Sequence, residues 1–395
     1  MSGSSPPVPP ATGTPPGRDA SVQLFLSGDV MLGRGIDQIL PHPGDPLLHE
    51  RFIRSATDYV RLAEAANGPI PRLAAFDYVW GETLPALARA SPAARIINLE
   101  TSVTRSAAFV PKGINYRMNP DNVACLTAAA IDCCVLANNH VLDFGRDGLL
   151  ETLGTLHRAG IKTAGAGRTL AEARQPAIIG LPQGGRLLVF AFGHPSSGIP
   201  AGSAAQADVP GIDLLENLSD RALAALADRV SALRRQGDLL IASIHWSGNW
   251  GYAVSVAERH FAHGLIDIAG FDLVHGHSSH HPKPIELYRD RLILYGCGDF
   301  LNDYEGISGY EEYRGDLALA YLPRLRAATG RLLGLRLIPF RIARFRLHCA
   351  APADTRWLQQ RLAAESRRFG LAITLEPDGS LEVYPGRTAS DPAPP

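Results

Sequence analysis

Short apolar runs with strand character alternate with helical patterns through most of the 395-residue chain, and this alternation limits the fold more than any other feature. VQLFLSGD (22–29), ARIINLE (94–100) and IDCCVLANNH (131–140) read as strands whose polar residues sit only at the C-terminal edge. The segments 187–192, 239–245 and 271–275 read the same way. Helical patterns lie between them at 79–90, 121–130, 148–158, 219–236 and 255–269, with Gly160 as a C-cap. Beyond residue 280 the pattern turns to hairpins, PKPIELYRDRLILYGCGDF and DLALAYLPRLRAATGRLLGLRLIPF, with Arg-Asp and Thr-Gly at the turns. A helix over 354–370 and a short strand pair close the chain. The expectation is an α/β fold with two sheets layered between helices. In such folds ligands gather at the C-terminal ends of the strands. That rule places Asp29, Glu100, Asn139 with His140, His245 and the 275–281 segment on one rim.

Composition narrows the classes. Hydrophobic residues are 46% and charged residues 19%, which excludes a disordered chain, a coiled coil and a small disulfide scaffold. The net charge of -1 argues against a nucleic-acid partner. Five cysteines form no CxxC pair, so they read as buried thiols. Residues 1–20 and 386–395 are Pro-rich and polar, and read as disordered tails around a single domain over 21–385. With no secretory signal pattern and no bilayer-length apolar run, the expectation is a cytoplasmic protein without a membrane partner.

Each polar strand end has a bland reading beside the chemical one. Ser27-Gly28-Asp29 fits an ordinary turn, Asn98-Leu99-Glu100 is weak alone, and His245 fits a satisfied core histidine. Ala137-Asn138-Asn139-His140 carries more hydrogen-bonding demand than a buried strand end can ignore. The strongest signal is His275-Gly276-His277-Ser278-Ser279-His280-His281, four imidazoles in seven residues, which suits Mn²⁺, Zn²⁺ or Fe²⁺. His42, His49, His157, His194 and His348 are scattered and read as non-ligands. His260 and His263 read as the solvated face of a helix. No dinucleotide or P-loop glycine pattern occurs, and no GxSxG elbow.

Taken together, GDVMLGR (28–34), NLE (98–100), ANNHVLDFG (137–145), HW (245–246), GHSSHHPKPIE (276–286) and YGCGDF (295–300) resemble the CapA, or poly-γ-glutamate biosynthesis, family of the calcineurin-like metallophosphoesterase superfamily. The resemblance implies a calcineurin-like layered β-sandwich flanked by helices, with a metal site at the strand C-terminal ends. It implies Asp29 on a first metal and Glu100 as the bridging carboxylate. Asn139, His245 and His277 would hold a second metal, and His140 would be the acid/base histidine. His280, or His281 in its place, would return to the first metal. The superfamily's Asp-x-His is absent here, because Val30 and Met31 follow Asp29. The first metal would therefore lose a ligand, and Glu100 stands where an Asp is usual.

A branch of CapA-like lasso-peptide epimerases, soluble enzymes of ribosomal peptide biosynthesis, is similar in these respects. On that resemblance the expected activity is a metal-dependent peptide epimerase, with a peptide substrate and one or two divalent ions, Mn²⁺ favoured. His140 would be one proton carrier, and Glu100 or His281 the other. Arg34 and Lys283 would hold a substrate carboxylate; Trp246, Trp250 and Tyr252 would flank the peptide. The 196–212 segment has the composition of a lid or of a plain connector. The alternatives are a metallophosphoesterase acting on a phosphoester, and a poly-γ-glutamate or capsule biosynthesis protein.

Overall fold

A computed structural model describes residues 20–182 and 184–385. The two proposed tails lie outside the described residues, apart from Ala20. The protein is a mixed α/β structure built on two large sheets. The ten-stranded sheet runs, edge to edge, Leu371–Leu375, Leu381–Pro385, Leu332–Ala343, Leu317–Arg326, Ser21–Val30, Ala94–Leu99, Cys133–Val135 and Lys162–Ala164. Asp299–Leu301 and Arg346–Cys349 pair off this path. The strands from Ser21–Val30 to Lys162–Ala164 are mutually parallel, and the hairpin strands beyond are antiparallel. The six-stranded sheet has a parallel centre of Arg186–Gly193, Leu239–His245, Leu273–His277 and Arg291–Leu294. Its edges are antiparallel.

Strand periodicity decides which side chains face which core. In Arg186–Gly193 and Leu239–His245, Leu187, Val189, Leu239 and Ile241 enter the large core shared with the ten-stranded sheet. Their neighbours Leu188, Phe190, Leu240, Ala242 and Ile244 enter a second core beneath the helices Asp220–Leu233 and Val256–Asp267. The same alternation turns Ser243, His245, His275 and His277 toward the ten-stranded sheet. His275 Nε2 lies 2.8 Å from the Ser27 carbonyl, a polar tie between the sheets.

Several sequence expectations shift. The 131–140 strand is paired only over Cys133–Val135, because the two asparagines leave the ladder to serve the rim. The 271–275 strand lies instead at Leu273–His277, which carries His277 to its end. The Arg289-Asp290 turn is present, both residues having positive φ (48° and 61°) as a tight two-residue hairpin requires. The 196–212 segment is not a lid. It is tied to the body by the pairing of Gly211 and Ile212 with Gly167 and Ala166, and Ile199 and Ile212 are buried.

One close approach sets the rim. The Ser21–Val30 ladder slips between Leu26 and Asp29, and Asp29 pairs with both Asn98 and Asp299. A Cβ on Gly28 would fall 1.8 Å from the Gly298 carbonyl oxygen, so only glycine lets the 297–299 chain reach this strand. Gly28→Ala is therefore expected to cost about 2 kcal/mol or more through overpacking. Urea unfolding measures it; wild-type stability would contradict the close approach.

Candidate metal centre

The rim collects groups from both sheets. Asp29, His245 and His277 place one ligand atom each within 4.8 Å of one another, and so do Asp29, His280 and Asp299. Asp29 is common to both groups and fully buried. Asn98 Nδ2 donates to its Oδ1 (2.7 Å), and the Ser278 N–H donates to its Oδ2 (3.2 Å). Asn138 in turn donates to Asn98 Oδ1 (3.0 Å) and to the Leu99 carbonyl (2.8 Å), which fixes the amide that orients Asp29.

The imidazoles are prepared in different ways. His277 Nε2 lies 2.9 Å from Ser243 Oγ, which leaves Nδ1 facing the cluster, 2.8 Å from His245 Nδ1. The other nitrogen of His245 lies 3.0 Å from Asn139 Oδ1 and 3.8 Å from Glu100 Oε1. An ion held with His277 would thus take His245 Nδ1, and one held with Asn139 and Glu100 would take Nε2. Burial, and then the neighbouring imidazoles, push both His245 and His277 well below the usual histidine range. Both rings are neutral and keep their lone pairs. His280 differs. Burial works against its charge, but Asp299 at 2.9 Å from Nδ1, with Asp29 beyond, carries it above the usual value.

The carboxylates have the opposite problem. Burial first, and then Asp299, pushes the Asp29 carboxyl up to about 7. Burial, with Asp29 and Asp299 beside it, raises Glu100 well above the carboxylate range. Glu100 Oε2 is buried with no hydrogen-bond partner. A buried orphan oxygen beside two more acids is costly unless a cation joins it. Oxygen and imidazole donors without thiolate suit Mn²⁺, Zn²⁺ or Fe²⁺, so the residues present fit a divalent ion.

His140 sits at the edge of this cluster, its Nε2 3.7 Å from Glu100 Oε1. Asp143 Oδ2 lies 2.6 Å from His140 Nδ1 and also accepts the Tyr116 N–H (2.7 Å). Burial lowers His140 to about 4 despite Asp143, so the ring is neutral. The carboxylate can only accept, so Nδ1 keeps the proton and Nε2 is left as an acceptor. Lys112 reaches in from the 105–115 loop, its Nζ 2.6 Å from Asp143 Oδ1 and bonded to the Asn139 carbonyl.

Sequence reasoning missed Asp299, Asp143, Lys112 and Asn98. Asp299 pairs with Asp29 across the parallel ladder and joins Asp29 and His280 in the second ligand group. YGCGDF and ANNHVLDFG contain Asp299 and Asp143, so part of the signal was present.

Four expected site residues serve elsewhere. Arg34 is buried and committed: Nη1 bonds Glu50 (3.0 Å) and Tyr59 (2.8 Å), and the rest of the guanidinium grips Asp303. It lies between the rings of Tyr59 (3.9 Å) and Tyr116 (4.5 Å) and cannot hold a substrate carboxylate. Lys283 is buried beneath the rim with its Nζ 3.2 Å from Ser247 Oγ. Trp246, next to the inward His245, points by strand alternation into the helix-side core and donates to the Tyr295 carbonyl (3.0 Å). His281 Nε2 accepts the Gly251 N–H (3.0 Å), and its Nδ1 faces the Pro282 carbonyl (3.2 Å). With both nitrogens held by backbone, His281 is neither ligand nor proton carrier. Trp250 lies 5.3 Å from His280, ring to ring; Tyr252 stands farther out, against His281.

The Arg34 knot makes a sharp prediction. Arg34→Ala leaves Asp303 and Glu50 as uncompensated buried acids and is expected to cost about 3–5 kcal/mol. Arg34→Lys is expected to recover little, lacking the planar fork. Urea unfolding reads both; a loss below about 1 kcal/mol would contradict the assignment.

Comparison with known proteins agrees with the rim motifs. The bacterial capsule synthesis protein (PGA_cap) family model matches residues 23–304. The chain is 49% identical over 366 residues to a probable polyglutamine synthesis accessory protein of Mycobacterium tuberculosis, covering 92% of this chain and 96% of that one. It is 24% identical over 340 residues to the PGA biosynthesis protein CapA of Bacillus subtilis, covering 86% and 75%. The capsule biosynthesis protein CapA of Bacillus anthracis is 25% identical over 284 residues, covering 71% and 59%. These relatives are named for polymer and capsule synthesis and as accessory proteins, not as isomerases or phosphoesterases. That overturns the expected peptide epimerase, and the phosphoesterase alternative with it. No helix among the described residues is long and apolar enough to cross a membrane. With the family model spanning most of the chain, the protein belongs to the bacterial capsule synthesis, CapA-like family.

Proposed function

We propose that this protein is an accessory component of glutamyl-polymer synthesis that binds the polymer at a divalent-metal centre. The observation that carries this reading is the convergence of His245, His277, His280 and Asp299 on Asp29 in two ligand groups that share it. The names of the relatives supply the class of polymer, polyglutamine in one and PGA in the other, and the cation centre favours the anionic member. Two layered sheets with these residues at their strand ends favour the calcineurin-like architecture.

Asp29, His245 through Nδ1 and His277 would hold one ion, and Asp29, His280 and Asp299 another; Asn139 and Glu100 lie on the Nε2 side of His245, so Asn139 would not share the ion held with His277 as expected. A bound divalent cation supplies the positive charge that draws a carboxylate or amide oxygen. The chain's own groups add selectivity. His140 Nε2, kept as an acceptor by Asp143, suits the N–H of an amide link. Lys112, partly exposed at the mouth, places a cation where side-chain carboxylates would arrive.

Fluorescently labelled poly-γ-glutamate is expected to bind the Mn²⁺-loaded protein, and EDTA is expected to release it, read by anisotropy. His245→Ala and His277→Ala should each weaken Mn²⁺ binding at least tenfold, as loss of a ligand does, and lower polymer binding with it. Polymer binding that ignores both EDTA and these substitutions would refute the reading.

A further inference from the structure

Outward from His280 the rim continues as a stack of half-exposed rings. Trp250 lies against His280 (5.3 Å between centroids) and is covered by Tyr310, stacked at 4.3 Å and 9°. Tyr313 stacks on His281 (4.6 Å) and meets Trp250 and Tyr252 at 5.4 Å each. Arg361 then lies over Tyr252 (4.9 Å) and Trp357 (5.7 Å), and Arg368 donates to the Tyr252 carbonyl (2.9 Å).

Two features set this stack apart from ordinary core. Tyr310 is 54% exposed, although a ring of that size would normally seek burial. The turn that carries it is held in a costly conformation: Tyr310 and Arg314 both have positive φ, 65° and 52°, around Glu311–Tyr313. Glu311 is folded back onto the Gly309 N–H (2.7 Å), and Glu365 is shared with Arg361 at 3.6 Å. The turn holds the exposed Tyr310 ring on Trp250, and Trp250 in turn lies against the ligand-type His280, as a binding platform leading to the metal centre requires.

We propose that the Trp250–Tyr310–Tyr313–Tyr252 stack is a second subsite that receives the amide-linked chain of an anionic glutamyl polymer beyond the residue at the metal centre. Amide planes and methylene stems lie on aromatic faces, and the side-chain carboxylates fall toward Arg361 and Arg368. The inference rests on the proposed polymer-binding function and adds the path of the chain. It also explains why the ring wall is continuous from His280 to the Arg361 guanidinium.

The test is the dependence of affinity on chain length. Long poly-γ-glutamate and the dipeptide γ-glutamylglutamate are titrated, each with Mn²⁺, into wild type, Tyr310→Ala, Tyr310→Phe and Trp250→Ala. Wild type should bind the long chain far more tightly per chain than the dipeptide. Tyr310→Ala and Trp250→Ala should each cut that preference by about tenfold, the worth of one good ring contact. Tyr310→Phe should keep it, since the face and not the hydroxyl carries the contact. Unlabelled polyglutamine as competitor separates the rings from the arginines: it should displace the chain only weakly. An unchanged length preference in Tyr310→Ala, with wild type binding polymer, would overturn the subsite and leave the metal-centre reading standing. Wild type failing to bind any polymer would overturn both.

Discussion

Three buried carboxylates, Asp29, Glu100 and Asp299, crowd one point between two sheets, and the rest of the rim is arranged around their mutual repulsion. Such a cluster destabilises a fold unless positive charge meets it. His280 answers part of the charge and Lys112 stands near. Amides from Asn98 and the Ser278 backbone answer part of the hydrogen bonding. Glu100 keeps a buried oxygen with no donor group beside it, only the neighbouring acid Asp29. Neutral imidazoles at His245 and His277 are poor partners for bare acids and good ones for a cation that the acids also hold.

Much of this was legible from local pattern. Strand runs with polar tails put Asp29, Glu100, Asn139 and His245 on one rim, and the hairpin turns fell at the residues expected. Period-two alternation also contains the answer for Trp246: if His245 faces the partner sheet, its neighbour must face the helices. The choice between His280 and His281 was not legible. It depends on Ser278, whose φ of 106° breaks the strand after His277 and sends His281 back onto Gly251.

Two of the remaining misses, Asp299 and the commitment of Arg34, come from pairing between distant parts of the chain, whereas Asp143 lies only three positions from His140. Asp299 begins a strand rather than ending one, and reaches Asp29 only because Gly28 and Gly298 let two chains nearly touch. Arg34 looked like a free cation because its partners Glu50 and Asp303 lie 16 and 269 positions away. Through Tyr116, whose hydroxyl meets Tyr304 at 2.5 Å, that knot braces the rings that flank His140 and His280. Its work is to hold the wall of the site.

Family membership and rim geometry meet at the cation, and a crystal soaked in Mn²⁺ tests it most directly. Anomalous scattering should show a peak bounded by Asp29, His245 and His277, and a second bounded by Asp29, His280 and Asp299. A clean map at full Mn²⁺ occupancy of the soak, with the acids still crowded together, would contradict the account.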